Sequence, residues 1–238
     1  MTAAGTLYGV GLGPGAPDLI TLRAARLIER AEVIAYPALA GGESFARAIA
    51  AELIPDGVRE IVMDVPMTVA RAPAQAAYDA GAAEIAGALS AGQDVVCLCE
   101  GDPFFYGSFM YVHARLKDRF EVRVVPGVTS ITACAAEAGR PLVARNERLT
   151  VLPGPMDEAE LRDRIAGAEA VAIMKVGRHL PKIRAVIDSL GLTEQASYIE
   201  RATLPEQVVV PLSQAPERAP YFSMILLTKG ADPWLSPR

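Results

Sequence analysis

The stretch DVVCLC, Asp94–Cys99, most constrains what this chain can become. Apolar residues occupy both alternate positions after the aspartate, so a strand built from it has no face to give to water. The run is too short for a buried helix. A strand buried on both faces belongs inside a sheet covered by helices on each side.

The flanking sequence supplies such a sheet. Leu7–Gly11 reads as a short apolar strand. Leu19–Ala31 is helical, with Leu19, Leu22, Ala25, Leu27 and Ile28 near one face. Glu32–Tyr36 reads as a strand that Pro37 stops, Phe45–Leu53 as a helix and Val58–Val62 as a strand. Pro73–Ala91 is an alanine-rich helix with a proline suited to its first turn, Gly107–Leu116 a helix, and Phe120–Val125 a strand. Strands alternating with helices imply parallel βαβ units.

After Thr129–Ala138 (helix) the alternation continues with Leu149–Leu152 (strand), Asp157–Ile165 (helix), Ala170–Met174 (strand) and Leu180–Leu190 (helix). Ala196–Ile199, Gln207–Val210 and Tyr221–Leu227 are then three strands with short links, a pattern that favours antiparallel pairing. The expected fold class is α/β. Two α/β domains are expected, residues 1–119 around a mostly parallel sheet and residues 120–238 around a mixed one, joined near residues 117–127.

Composition narrows the function classes. No apolar run approaches the ~18 residues of a membrane helix. The N-terminus lacks a basic segment followed by a long apolar one, so no membrane association and a cytoplasmic location are expected. Three cysteines, Cys97, Cys99 and Cys134, make neither a disulfide framework nor a zinc set, and they read as small packed hydrophobes. With only His113 and His179 and no clustered carboxylates, no metal site is expected. A net charge of −5 argues against a nucleic-acid partner. Residues 1–115 hold 7 Lys+Arg against 13 Asp+Glu, and residues 116–238 hold 16 against 15. A polyanionic substrate is therefore expected to place its carboxylates against the second half.

Five loops carry the chemistry. Gly11-Leu-Gly13-Pro-Gly15-Ala16 fits the G-x-G-x-x-A dinucleotide fingerprint. Against that reading, the second strand ends Ala35-Tyr36-Pro37 without the acidic residue that holds a ribose, and Pro14 lacks an N–H. A tight structural turn is the competing reading. Glu100-Gly-Asp-Pro-Phe-Phe-Tyr-Gly107 follows the buried strand, where α/β sheets bind ligands. Val125-Pro-Gly-Val-Thr-Ser-Ile131 offers Thr129 or Ser130 as a helix cap. Ile173-Met-Lys-Val-Gly-Arg178 and Ile199-Glu-Arg-Ala-Thr-Leu-Pro-Glu-Gln207 complete the set.

In that order, GVGLGPG, EGDPFFYGSF, VVPGVTSITACAAEAGRPL, IMKVGRH and ERATLPEQ resemble the tetrapyrrole (corrin/porphyrin) methyltransferase family, from Tyr8 to about Leu227. The family includes methyltransferases of uroporphyrinogen III and the precorrins, and diphthine synthase. The tracts EGDPFFYGSFMYVHARL, MKVGRHLPKIR and PYFSMILL are most similar to members that methylate C-20 of precorrin-2. The resemblance implies S-adenosyl-L-methionine as cofactor, leaving as S-adenosyl-L-homocysteine, folded in a cleft between two domains. It implies contacts from Pro14, Glu100, Gly101, Asp102, Phe105, Thr129, Ser130, Met174 and Ala202, a tetrapyrrole substrate and a homodimer. Arg145, Arg148, Lys175, Arg178 and Arg201 are the basic candidates for the substrate carboxylates. Some relatives carry an aspartate where this chain has Pro37, so no catalytic base is assigned. Tyr106, Tyr111, Glu100 and His179 are candidates by location alone. Other family substrates, and an NAD-binding α/β protein, are the alternative readings.

Overall fold

The computed structural model describes residues 3–39, 42–66 and 71–230. The chain forms two compact units, Met1–Thr129 and Ser130–Arg238. In the first, β1 (Leu7–Gly11), β2 (Val33–Leu39), β3 (Arg59–Val65), β4 (Val95–Cys99) and β5 (Val122–Val125) form one sheet in the order β3-β2-β4-β1-β5. Every pairing in it is parallel. DVVCLC behaves as its composition demands. Val95, Cys97 and Cys99 pack under α3 (Arg71–Ser90) and α4 (Phe109–Leu116), in a core with Ile85, Leu89 and Phe109. Val96 and Leu98 face the other way, in a core with Ile28 of α1 (Leu22–Ile28) and Ile49 of α2 (Phe45–Ile49).

Three expectations shift. The first helix is shorter than its periodicity suggests: Pro17–Leu19 forms a 3-10 turn, and α1 begins only after Thr21, whose side chain accepts the Ala24 N–H at 3.2 Å. Pro37 does not end β2. β4 pairs with β2 only from Val33 to Ala35, while β3 follows it to Leu39. Beyond Ala35 one side of β2 needs no donor, so a proline removes no ladder bond there. Finally, β5 pairs with β1, so it belongs to the first unit. The units divide after Thr129, ten residues beyond the expected boundary.

The second unit pairs β6 (Leu149–Pro153), β7 (Ala170–Met174), β8 (Ala196–Glu200), β9 (Val208–Pro211) and β10 (Ser223–Thr228) in the order β6-β7-β10-β8-β9. β6 and β7 are parallel; the remaining pairings are antiparallel, as the short links among β8, β9 and β10 favour for those three strands. α6 (Glu158–Ala166), with Asp157 accepting the Ala159 N–H at its cap, and α7 (Leu180–Ser189) supply Leu161, Ile183 and Ile187 to a core with Ile173, Tyr198 and Ile225. α5 (Ser130–Glu137) packs against β10. Among the described residues, no helix is long and apolar enough to cross a membrane.

One polar tie in the first unit has a measurable consequence. Arg47 of α2 forks onto Glu60 of β3, Nε to Oε2 at 2.8 Å and Nη2 to Oε1 at 2.9 Å, and the Tyr36 hydroxyl donates to the same carboxylate. Burial, with Glu60 alongside, pushes the Tyr36 phenol up to about 12. The Arg47 hydrogen bond holds Glu60 below its ordinary value against the opposing effect of burial. A carboxyl depressed by folding stabilises the fold above its unfolded value and loses that contribution as pH falls through its folded value. Wild type is expected to exceed Glu60→Gln by ~1 kcal/mol at neutral pH, since the pair is partly exposed. Thermal melts should show the gap closing as pH drops below ~4. A gap unchanged down to pH 3 would remove the charge from the explanation.

Candidate functional site

Parallel strands end together, so the loops after β1, β4 and β5 emerge at one edge of the first sheet. They are knotted there by backbone. Leu12 N–H donates to Cys99 O at 3.0 Å, Gly13 N–H to Gly101 O at 3.2 Å, and Gly101 N–H to Gly13 O at 2.7 Å. Gly13 and Gly101 both sit at positive φ, 78° and 64°, which glycine adopts without strain. A Cβ on Gly127 would stand 2.1 Å from Gly101 O, and one on Gly11 would stand 2.5 Å from Gly127 N. Asp102 ties the third loop in: Oδ2 accepts the Gly127 N–H at 3.1 Å and Oδ1 the Phe104 N–H at 2.9 Å.

Around this knot lie the expected residues of the first unit. Pro14, Glu100, Phe105 and Thr129 are all half-buried. Burial pushes the Glu100 carboxyl up, partly offset by its own N–H and that of Ala46. The Phe105 ring meets Tyr106 edge-on at 5.2 Å, and Phe104, 49 % exposed, meets His113 edge-on at 5.0 Å.

The GLGPGA loop is not a phosphate cradle. The N–H groups of Leu12 and Gly13 are spent on Cys99 and Gly101, and Pro14 has none. The helix that should open within a dinucleotide motif starts only at Leu22. The structural-turn reading of this loop is the one the geometry supports.

In the second unit, the pairings Pro153↔Met174, Ile225↔Ile173 and Ser223↔Glu200 bring the ends of β6, β7 and β8 to the edge where β10 begins. Gly154 N–H donates to Met174 O at 2.7 Å, and Arg201 N–H to Phe222 O at 2.9 Å. Thr203 N–H donates to Gln207 Oε1, and Gln207 Nε2 to Glu137 Oε2, both at 2.7 Å, so the ERATLPEQ loop is braced against α5. Ser223 Oγ accepts the Gly177 N–H at 3.3 Å. The Tyr198 hydroxyl donates to Glu200 at 2.8 Å. Met174 is half-buried and Ala202 buried, and Lys175, Arg178 and Arg201 are exposed around them. Tyr221 and Phe222 stand exposed at the same edge. Burial lowers the His179 pKa, with Lys182 and Arg178 adding to the effect, which favours the neutral imidazole. Ser130 is the first residue of α5.

The five basic candidates divide. Lys175, Arg178 and Arg201 follow the ends of β7 and β8. Arg148 precedes β6, pairs with Glu169 at 3.3 Å and takes the same carboxylate on its N–H at 2.6 Å. Arg145 lies just before it, in a turn closed by Glu147 N–H to Ala144 O at 2.9 Å. These two enter β6 at the opposite edge, five strand residues or roughly 15 Å away.

Backbone strain marks the same edges. Tyr106, Lys175, Arg201 and Thr203 hold φ of 57°, 56°, 48° and 71°, while Arg145, at the opposite edge, holds 49°. Each such residue costs roughly 1–3 kcal/mol, a cost that accumulates where function requires it. Sequence spacing carries no signal for this strain. Nor does it signal the Gln207–Glu137 brace or the approach of Gly154 to β7, whose Cβ would lie 2.7 Å from Lys175 O.

A family model described as Tetrapyrrole (Corrin/Porphyrin) Methylases matches residues 6–216. The chain is 43 % identical to a precorrin-2 C(20)-methyltransferase from a Sinorhizobium species, over 96 % of this chain and 97 % of that protein. It is 33 % identical to the cobalt-precorrin-2 C(20)-methyltransferase of Salmonella typhimurium, over 94 % and 97 % respectively. The crystal structure of uroporphyrin-III C-methyl transferase from Thermus thermophilus complexed with S-adenyl homocysteine aligns with a TM-score of 0.68 at 25 % identity. That alignment covers 94 % of this chain and 92 % of the other.

Proposed function

The chain belongs to the tetrapyrrole (corrin/porphyrin) methylases, and from that membership we propose that it transfers a methyl group from S-adenosylmethionine to C-20 of precorrin-2. The observation that carries the reading is the knot of Gly11, Gly101 and Gly127 with Asp102 beneath it. It places carbonyl and carboxylate acceptors beside half-buried aromatic and proline surface, with no phosphate cradle. That suits a sulfonium cation bearing adenine, ribose and an amino-acid tail.

The donor contacts are proposed as Pro14, Glu100, Gly101, Asp102, Phe105 and Thr129 from the first unit and Ser130, Met174 and Ala202 from the second. S-adenosylmethionine supplies an electrophilic methyl group when bound. The electron-rich macrocycle supplies the carbon nucleophile, so the protein's task is largely orientation, an effect that reaches ~7–11 kcal/mol in well-aligned reactions. Lys175, Arg178 and Arg201 are proposed to take the substrate's carboxylates, and guanidinium groups pair with them bidentately. In the second unit the exposed rings of Tyr221 and Phe222 offer flat apolar surface to a flat macrocycle.

Titration calorimetry tests the donor directly. Saturable S-adenosylhomocysteine binding at one site per chain, with no heat from NAD, is the expected outcome. NAD binding without S-adenosylhomocysteine binding would overturn the proposal.

A further inference from the structure

The first unit carries a basic groove at the edge opposite its glycine knot. Arg23 and Arg26 lie on α1 and Arg30 on the turn that closes it, three and four residues apart, a spacing that puts them on one face. With Arg123 of β5 they line an open cavity of about 780 Å³. Glu32 and Asp94, the residues immediately before β2 and β4, line it too and fix its place at the start of those strands. The knot lies a strand's length away, roughly 15 Å.

Charge partition makes this groove unusual. Residues 1–115 hold seven basic side chains against thirteen acidic ones, and three of the seven converge here. Elsewhere in this unit Arg47 and Arg115 carry ion pairs, with Glu60 and Asp79, while Arg59 and Arg119 carry none among the described residues. Among the described residues Arg23, Arg26 and Arg30 carry none. Asp94 is engaged by the Thr6 N–H at 2.7 Å, and Arg123 pairs with Glu121 beside it. Like charges at this spacing on a short helix repel one another. The lining holds four arginines against Glu32 and Asp94, a positive excess that fits a ligand bringing its own negative charge.

We propose that this groove binds a small anion carrying several carboxylates. Arginine forks match carboxylates bidentately, and the volume falls within the range of small-molecule sites. The inference does not depend on methyl transfer. The carboxylates come from a macrocycle such as the one proposed as substrate, or from a simpler polycarboxylate.

The test is a fluorescence titration of the full chain with uroporphyrin III, an octacarboxylate, repeated with citrate as competitor. The comparison protein is the triple variant Arg23→Gln, Arg26→Gln, Arg30→Gln, all at exposed positions, with its fold checked by its melting curve. Wild type is expected to bind one uroporphyrin more per chain than the variant, or to bind it at least roughly tenfold more tightly at that site. The difference should shrink as salt rises past ~0.1 M. Displacement by citrate would identify a simple polycarboxylate as sufficient, and resistance to it would require the macrocycle; either accompanies a real site. Replacing the three with lysine should retain only part of the binding, since an ammonium keeps the charge and loses the bidentate fork. Equal stoichiometry and affinity in wild type and the glutamine variant would overturn the proposal. If S-adenosylhomocysteine fails to bind wild type while this difference persists, the methyl-transfer reading falls and the groove stands.

Discussion

Gly127→Ala is expected to abolish S-adenosylhomocysteine binding and to lower the melting temperature. The added methyl would stand 2.1 Å from Gly101 O and 2.9 Å from Gly11 Cα, and these are backbone atoms that cannot swing aside as a side-chain tip would. To admit it, the loop after β5 must retreat, breaking the 3.1 Å bond from its N–H to Asp102 and the alignment of three loops at once. Overpacking of this kind costs ~1–3 kcal/mol, or roughly 3–10 °C for a chain of this size. The functional loss should be larger than the stability loss, because the loops are the proposed donor site. A variant with wild-type donor affinity would show that the knot is scaffolding and the donor sits elsewhere.

Lys175→Gly combined with Arg201→Gly is expected to separate stability from substrate recognition. Both residues hold left-handed φ that glycine adopts freely, so the substitutions release strain, and the melting temperature should hold or rise. Both also remove charges from the edge where β7 and β8 end. If these groups meet the substrate's carboxylates, the KM for precorrin-2 should rise roughly 150-fold or more, since each hydrogen bond to a charged group contributes ~1.5–3 kcal/mol when its partner is desolvated and two are removed. Affinity for S-adenosylhomocysteine should stay within about twofold. Steady-state kinetics and calorimetry on one preparation suffice. An unchanged KM would move the carboxylate contacts to other residues.

Much of this was legible in the residues themselves. The continuous apolar character of DVVCLC forecast a strand buried on both faces, and β4 packs its alternate residues into two separate cores. The short links after Ala196 forecast antiparallel pairing, which β8 makes with both β9 and β10. Boundaries were less legible, because they depend on neighbours that sequence does not name. Pro37 passes within β2 only because β4 stops pairing at Ala35, and β5 joins the first unit only because its register lies against β1.

The site shows the same division. The loop motifs named Gly11, Gly101 and Asp102, since glycine and aspartate at strand ends carry a local signal. The mutual approach of Gly11, Gly101 and Gly127 is a three-body fact with no local trace. Charge counting pointed the substrate's carboxylates to the second half of the chain. It did not tell Lys175, Arg178 and Arg201, which follow strands β7 and β8, from Arg145 and Arg148, which precede β6; strand direction alone separates them. Arg23, Arg26 and Arg30 fall within an acidic half, and it is their convergence on one cavity that distinguishes them.

Purified chain supplied with precorrin-2 and with S-adenosylmethionine carrying a carbon-13 methyl group forms a product in which NMR locates the label. One labelled methyl per macrocycle, at C-20, is the predicted result, with uroporphyrinogen III left unlabelled under the same conditions. Label at any other carbon, or a macrocycle recovered without label while the chain binds S-adenosylhomocysteine, would contradict it.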